Sequence, residues 1–363
     1  MADREFIEAL RNTADEVVRD HYPAQELHHF LDGGSLYDRA LWQKAAELGW
    51  LMMGVPEVYG GLGGGVAELA VLQQSLGAVV APVPFMSTAI VGQALAVWPD
   101  VTLAQQLLSL LCEGKLIAGV EQLGKDGPTL KANGSGDGFV LEGTCAGILH
   151  GAEADWLLVR VAKTDGEFGI ALLPGRMEGV SQLSRPIADR TRTMTTLTCR
   201  GSFLDARHFV FGDAAAALLD HLRWTAALLV SADSIGGGRA IFDLTIDYLK
   251  TRTQFGKPIG SFQALKHRAA DLAVKLEMAA GLVEAALTRN DGAEPALWGA
   301  MAKVSASDAY SAIVADAVQM HGGIGFTWEH RAHLYLKRAT LNAMLFGDVA
   351  VQQDRLAAQL VVS

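Results

Sequence analysis

The sequence predicts an α+β protein with an N-terminal α-helical domain, a middle antiparallel β domain and a C-terminal four-helix-bundle domain. Two patterns predict this order. Apolar residues recur at three- and four-residue steps in the first and last thirds of the chain. The middle third consists of short apolar runs bounded by Gly, Asp, Asn or Pro. A chain of 363 residues, half of them apolar, can also bury a large core. We place the domains at residues 1–119, 120–212 and 213–363.

The N-terminal domain is predicted from two apolar stripes and a turn-rich loop. The stripes are formed by Phe6, Ile7, Leu10, Ala14 and Val17, and by Leu41, Ala45 and Leu48. Glycines and a proline in residues 54–63 exclude a helix there. A further helix is expected over residues 67–76, before the break at residues 82–84.

The middle and C-terminal domains differ in the period of their apolar residues. Runs at residues 139–141, 156–161 and 169–173 predict strands of a compact, barrel-like β domain. From Asp213, a candidate N-cap, the pattern becomes helical. Four long helices are expected near residues 214–250, 262–289, 295–320 and 329–360.

Composition excludes several classes of protein. With 30 basic and 40 acidic residues the net charge is −10, which argues against nucleic-acid binding. No apolar run is long enough to cross a membrane, and the N-terminus lacks the plan of a signal peptide. Three scattered cysteines suit a reducing cytoplasm, and the ten histidines show no metal-ligand spacing. We therefore expect a cytoplasmic protein without a metal, a membrane anchor or nucleic acid as partner.

Two polar, glycine-rich segments of the last domain are candidate binding sites. Residues 252–260 precede a helix that Ser261 is expected to cap, and an arginine beside a helix start suits an anion such as a pyrophosphate. The alternative is a sharp turn with Arg252 in a surface ion pair. Residues 319–327 place two glycines after a helix, which permits close approach of a ligand to the backbone. The alternative there is a helix stop that binds nothing.

These segments, together with the loop before Gly63, resemble the acyl-CoA dehydrogenase family. The matching motifs are Leu-Gly-Trp at 48–50, Val-Pro-Glu-Val-Tyr-Gly-Gly-Leu-Gly at 55–63, Arg-Thr-Gln-Phe-Gly-Lys-Pro-Ile-Gly-Ser-Phe-Gln at 252–263 and Gln-Met-His-Gly-Gly-Ile-Gly-Phe at 319–326. The α/β/α order and the length agree as well, so the resemblance covers essentially the whole chain.

The resemblance implies FAD bound between subunits and an acyl-CoA substrate that loses hydrogen from its α and β carbons. It implies a homo- or hetero-oligomer, a dimer of dimers, and an electron acceptor of the electron-transfer-flavoprotein type. Cofactor contacts are implied for Arg252, Gln254 and Phe255 on the pyrophosphate side, for Phe262 and Gln263 on the flavin nucleotide, and for Gln319, His321, Gly322 and Gly323 around the ADP end of a neighbour's flavin.

The sequence departs from the family pattern at the catalytic base. Most members carry this glutamate in a Tyr-Glu-Gly-Thr turn, whereas the matching residues 345–350 place Gly347 at the glutamate position. Some relatives carry it on the first helix of the last domain, where the matching residues 222–227 contain no glutamate. Asp348 is the nearest candidate base, and a solvated or helix-capping aspartate is the alternative.

The segments that pack against the flavin ring in the family are altered too. Residues 120–125 and 145–150 replace the usual Thr-Glu-Pro and Trp-Ile-Thr motifs. This asymmetry resembles one subunit of the α2β2 acyl-CoA dehydrogenases that bacteria use on steroid side chains. Three hypotheses follow: a self-sufficient dehydrogenase for a steroid or other bulky acyl-CoA, a non-catalytic partner subunit that completes another chain's flavin site, and a flavin oxidase with an aspartate base.

Overall fold

A computed structural model describes residues 4–22, 26–124, 127–288 and 295–362. The chain divides into two compact units. The helical unit comprises Met1–Gly33, Ala70–Ala81 and Ala227–Ser363, and the sheet unit comprises Gly34–Leu69 and Pro82–Ala226. The expected boundaries after residues 119 and 212 stay a prediction.

Helices dominate the chain outside its middle third. They are α1 (Arg4–His21), α2 (Glu26–Asp32), α3 (Arg39–Glu47), α4 (Val66–Ala78), α5 (Phe85–Leu95), α6 (Val101–Cys112), α7 (Gly212–Thr251), α8 (Gln263–Thr288), α9 (Pro295–His321), α10 (Ala332–Met344) and α11 (Val349–Val362). None of the helices in the described part of the chain is both long and apolar enough to cross a membrane.

The middle third forms one eight-stranded sheet. Its strands are β1 (Ala118–Glu121), β2 (Leu130–Ser135), β3 (Gly138–Leu149), β4 (Trp156–Lys163), β5 (Phe168–Pro174), β6 (Val180–Arg185), β7 (Met194–Asp205) and β8 (Phe209–Phe211). The order is β6-β7-β3-β1-β4-β5-β8, and β2 also pairs with both β3 and β4. The predicted α+β order is therefore confirmed.

The sheet is mixed rather than wholly antiparallel as expected. Strands β1 and β2 lie between β3 and β4, antiparallel to β3 and parallel to β4. Since β3 and β4 run in opposite directions, any strand inserted between them must be parallel to one of them. The apolar core includes Leu130, Leu141, Leu157 and Leu197, which are all fully buried.

In the helical unit, the 40-residue helix α7 is crossed closely by two others. A Cβ at Gly236 would lie 1.9 Å from the carbonyl oxygen of Gln74 on α4, and one at Gly237 would lie 2.4 Å from the hydroxyl of Tyr310 on α9. The glycines that weaken the helix locally therefore permit these two crossings.

A buried polar network joins the same helices. Asp233 of α7 is fully buried and accepts hydrogen bonds from Gln73 Nε2 at 2.9 Å, Arg338 Nη1 at 3.0 Å and Asn342 Nδ2 at 2.8 Å. Because every donor is itself buried, three side-chain donors replace the water that would otherwise solvate the carboxylate. This network connects α4 and α10 to the middle of α7.

Two predictions about helix ends are wrong. The last predicted helix, residues 329–360, is two helices, because Phe346 and Gly347 adopt positive φ angles of 58° and 98° that no helix continues through. Helix α7 begins at Gly212, so Asp213 lies in its first turn rather than at the N-cap.

Candidate functional site

The first candidate segment forms a tight hairpin between α7 and α8. Strands β9 (Thr253–Gln254) and β10 (Lys257–Pro258) pair, and the turn residues Phe255 and Gly256 have φ angles of 54° and 76°. Two positive φ values are what a two-residue hairpin turn requires, and they are unusual for phenylalanine. The Phe255 side chain is nevertheless 91% exposed. The hairpin therefore presents the Phe255 ring to solvent.

The neighbouring cofactor candidates lie at the same end of the helical unit. The Arg252 backbone is fixed, since its N–H donates to Tyr248 O and its carbonyl accepts from Ile259 N–H, both at 2.8 Å, while its side chain is exposed. Gln254 is exposed, and its Nε2 donates to the carbonyl of Thr253 at 2.9 Å.

The start of α8 completes this segment. Phe262 lies 6.2 Å from Phe255 between ring centroids, and Gln263 is the exposed first residue of α8. The expected capping by Ser261 is wrong: the Phe262 carbonyl accepts the first helical N–H groups, because a 3₁₀ turn over Ile259–Ser261 places Ser261 before the cap.

The second candidate segment is an exposed 3₁₀ turn, Gly322–Phe326, directly after α9. Gly322 has a φ of 63°, and a Cβ at Gly322 or Gly323 would meet no atom within 4 Å. Gln319, in the last turn of α9, is exposed too. The backbone of both glycines is therefore accessible, as close approach of a ligand requires.

His321 differs from its neighbours because it is only 4% exposed. Its Nδ1–H donates to the carbonyl of Ala317 at 2.8 Å, and its ring stacks on Tyr248 at 4.5 Å and lies 4.4 Å from the ring of His330. Burial lowers the pKa of His321. Sequence reasoning missed Tyr248 and His330, and the position of Tyr248 one helical turn before Arg252 is the sequence feature that could have pointed to it.

The candidate base Asp348 lies at the start of α11. It is exposed, its Oδ1 accepts from Val351 N–H at 2.9 Å, and its carbonyl accepts from Gln352 N–H at 3.0 Å. This is the bonding pattern of an N-cap. Gly347, at the family's glutamate position, is buried.

A buried lysine lies near this turn. Lys303 is 1% exposed, and its Nζ lies 3.3 Å and 3.4 Å from the carbonyls of Asn342 and Ala343 at the end of α10. Burial lowers its pKa to about 8, which the negative charge of Asp348 partly opposes.

In the sheet unit, two arginines form hydrogen bonds with residues 121–124. These residues comprise the last residue of strand β1 and the three that follow it, and we call them the β1 segment. Glu121, 3% exposed, accepts from Arg160 through the backbone N–H at 2.6 Å, Nη2 at 2.7 Å and Nε at 3.1 Å. Arg160 Nη2 also donates to Gln122 O at 3.1 Å. Arg223 donates to the carbonyls of residues 123 and 124, both at 3.2 Å. Sequence reasoning did not identify either arginine.

The two regions differ in how well they suit FAD. In the helical unit, an exposed guanidinium, an exposed aromatic ring and bare glycine backbone fit the pyrophosphate and the adenine nucleotide. In the sheet unit, the carboxylate and carbonyls of the β1 segment are already bonded to Arg160 and Arg223. Within the described residues, no group of three or more His, Cys, Asp or Glu side chains could hold a metal ion.

Comparison with known proteins extends over the whole chain. The chain is 33% identical to the acyl-CoA dehydrogenase IpdE2 of Mycolicibacterium smegmatis over 354 residues, which cover 97% of this chain and 98% of that protein. Similar solved structures include the ChsE4-ChsE5 complex from Mycobacterium tuberculosis, with a TM-score of 0.92, 27% identity and coverage of 100% and 99%. A variant of the Tcur3481-Tcur3483 steroid ACAD has a TM-score of 0.90, 28% identity and 99% coverage of both chains.

Two family profiles agree with this similarity. Residues 4–115 match the profile described as acyl-CoA dehydrogenase, N-terminal domain, and residues 213–361 match acyl-CoA dehydrogenase, C-terminal domain. The predicted family is confirmed. Since profiles at both ends and a relative of nearly equal length agree, the chain belongs to the acyl-CoA dehydrogenase family, oxidoreductases that generally use FAD.

Proposed function

We propose that this chain is one subunit of a two-chain, FAD-dependent acyl-CoA dehydrogenase in which it holds the nucleotide part of the flavin and its partner supplies the catalytic base. The environment of Asp348 carries this proposal. Its carboxylate is exposed and bonded to the N-terminus of α11, and Gly347 occupies the glutamate position. A general base needs a carboxylate within reach of the α proton in a site without water, and neither residue provides one.

The helical unit supports the nucleotide-binding role. Arg252 would pair with the pyrophosphate, with Gln254, Phe255, Phe262 and Gln263 beside it on the hairpin and the start of α8. Gln319, His321, Gly322 and Gly323 would receive the ADP end through their backbone. A bound flavin would supply the hydride acceptor of the reaction.

The sheet unit supports placing the flavin ring against the partner chain. By the resemblance, the β1 segment stands where family members contact the ring, but here its Glu121 is paired with Arg160 inside the protein. Separating a buried ion pair costs about 3–5 kcal/mol. A ring that needed the β1 segment to move would therefore bind weakly to this chain.

The substrate class is proposed from the relatives. One similar structure is a steroid ACAD and another is a complex of two chains, ChsE4 and ChsE5. We therefore propose the CoA thioester of a steroid or similarly bulky acyl group, and an electron acceptor of the electron-transfer-flavoprotein type. We place the complex in the cytoplasm, since the three cysteines are unpaired.

Flavin content and native mass test this assignment. The chain should bind FAD too weakly to retain it when purified alone, and should form an assembly of unlike chains with bound FAD when co-expressed with a family member that carries the glutamate. Within that assembly, Arg252→Ala should lower the flavin content, whereas Arg4→Ala, at the exposed start of α1, should not. One FAD per chain in a homo-oligomer would contradict the proposal.

Two Asp348 variants separate capping from catalysis. Asparagine caps helices about as well as aspartate, whereas alanine costs about 1 kcal/mol at an N-cap. We expect Asp348→Asn to keep both the stability and the turnover of the complex, and Asp348→Ala to lose stability only. An Asn variant that is stable but inactive would make Asp348 the base, and oxygen consumption without another acceptor would then favour the flavin oxidase.

A further inference from the structure

Three aromatic rings of the helical unit connect the two candidate binding segments, and we call Tyr248, His321 and His330 the ring stack. Tyr248 lies on α7 and its carbonyl accepts the N–H of Arg252 at 2.8 Å, so it fixes the start of the first segment. His321 ends α9 and immediately precedes Gly322 of the second segment. Contact between these two rings at 4.5 Å therefore couples the two segments within one chain.

The hydrogen bonds of the ring stack determine the protonation states of the His321 and His330 imidazoles. His321 Nδ1–H donates to the carbonyl of Ala317, whereas its Nε2 is buried and has no hydrogen-bond partner among the described residues. A proton on that nitrogen would be a buried charge without an acceptor, which is costly. His330 Nδ1 accepts from Ala332 N–H at 3.2 Å, so it too must lack a proton in this arrangement. Both rings are therefore held in the neutral form.

The charged groups around the two imidazoles oppose protonation further. The rings of His321 and His330 are 4.4 Å apart, so a charge on one acts directly on the other. His333 on α10 adds a positive charge near His330 when protonated, and Lys337 and His28 lie near His333. Burial is the largest effect in lowering the pKa of His321, His330 and His333.

We propose that the ring stack positions the Gly322–Phe326 turn for the adenine nucleotide, and does so only while its two imidazoles are not both charged. The inference rests on the proposed function, since it assumes that this turn receives a nucleotide. Protonation would set two like charges against each other inside the stack and separate His321 from Tyr248. The turn would then move relative to Arg252, and nucleotide affinity would fall.

The experiment measures binding of ADP-ribose to the full chain between about pH 8 and pH 5 by calorimetry, because its diphosphate, unlike the terminal phosphate of ADP, has no ionisation in this range. We expect the dissociation constant to be constant at high pH and to rise by about tenfold per pH unit below the pH at which the second of the two histidines is protonated. His330→Phe keeps a ring in the stack but leaves only one imidazole to protonate, so it should bind ADP-ribose with little dependence on pH. The control His29→Phe, at an exposed position of α2, should keep the wild-type pH dependence.

Each outcome decides the inference. Wild-type affinity for ADP-ribose that does not change with pH, or a pH dependence that survives in His330→Phe, would overturn the role of the ring stack and leave the proposed function intact. If the chain binds no ADP-ribose at any pH, the nucleotide-binding role fails and the inference fails with it. If His330→Phe does not fold, His330→Gln, which also removes the second imidazole, tests the same expectation.

Discussion

The buried ion pair between Asp233 and Arg338 should dominate the stability of the helical unit. Their side chains are 0% and 1% exposed and 3.0 Å apart, and Gln73 and Asn342 bond to the same carboxylate. Asp233→Ala leaves the guanidinium buried without its counter-charge and removes the carboxylate that accepts from Gln73 and Asn342. Removing one partner of such a pair costs about 3–5 kcal/mol. That is a large fraction of the roughly 5–15 kcal/mol that stabilises a typical protein.

Urea denaturation followed by circular dichroism measures this cost. The matched control is Glu277→Ala, which removes an exposed ion pair with Arg239 whose side chains are 63% and 42% exposed and should cost about 0–1 kcal/mol. The double variant Asp233→Leu with Arg338→Met removes both charges, and we expect it to be more stable than Asp233→Ala. If Asp233→Ala costs no more than the Glu277→Ala control, the burial argument is refuted.

Two further changes test the packing of the helical unit. Gly236→Ala should destabilise the protein strongly, because its Cβ would lie 1.9 Å from a backbone atom of α4. Gly281→Ala has no atom within 4 Å of its Cβ and should stabilise the protein by about 0.5–1 kcal/mol. Thermal unfolding of both variants measures these effects, and equal effects would contradict the packing argument. Burial lowers the pKa of Lys303 from 10.5 to about 8, so the folded state binds fewer protons than the unfolded state between these values. The free energy of unfolding should therefore rise from about pH 8 to pH 10.5, and Lys303→Met should flatten that rise in denaturant titrations; a rise that persists in the variant would exclude Lys303 as its cause.

Sequence patterns determined the α/β/α order and both candidate segments. Helical and strand periods are local, so they are visible without the fold. The segment at residues 252–260 and the glycines at 322 and 323 could be identified because glycine and proline interrupt helices, whereas the positive φ of Phe255 is unusual for that residue and became visible only in the structure. The resemblance to the family places Gly347 at the glutamate position, so the absence of that base is a prediction from the sequence.

Only the tertiary structure identified the partners of the buried charges and rings. Asp233 and Arg338 are 105 residues apart in the chain, and Glu121 and Arg160 are 39 apart. No local pattern encodes such pairs, because many charged residues could occupy the same helix or strand position. The stacking of His321 on Tyr248 is likewise a contact between residues far apart in the sequence. Sequence therefore determined which segments could bind a cofactor, whereas long-range packing decided how those segments are held and which charges are already neutralised.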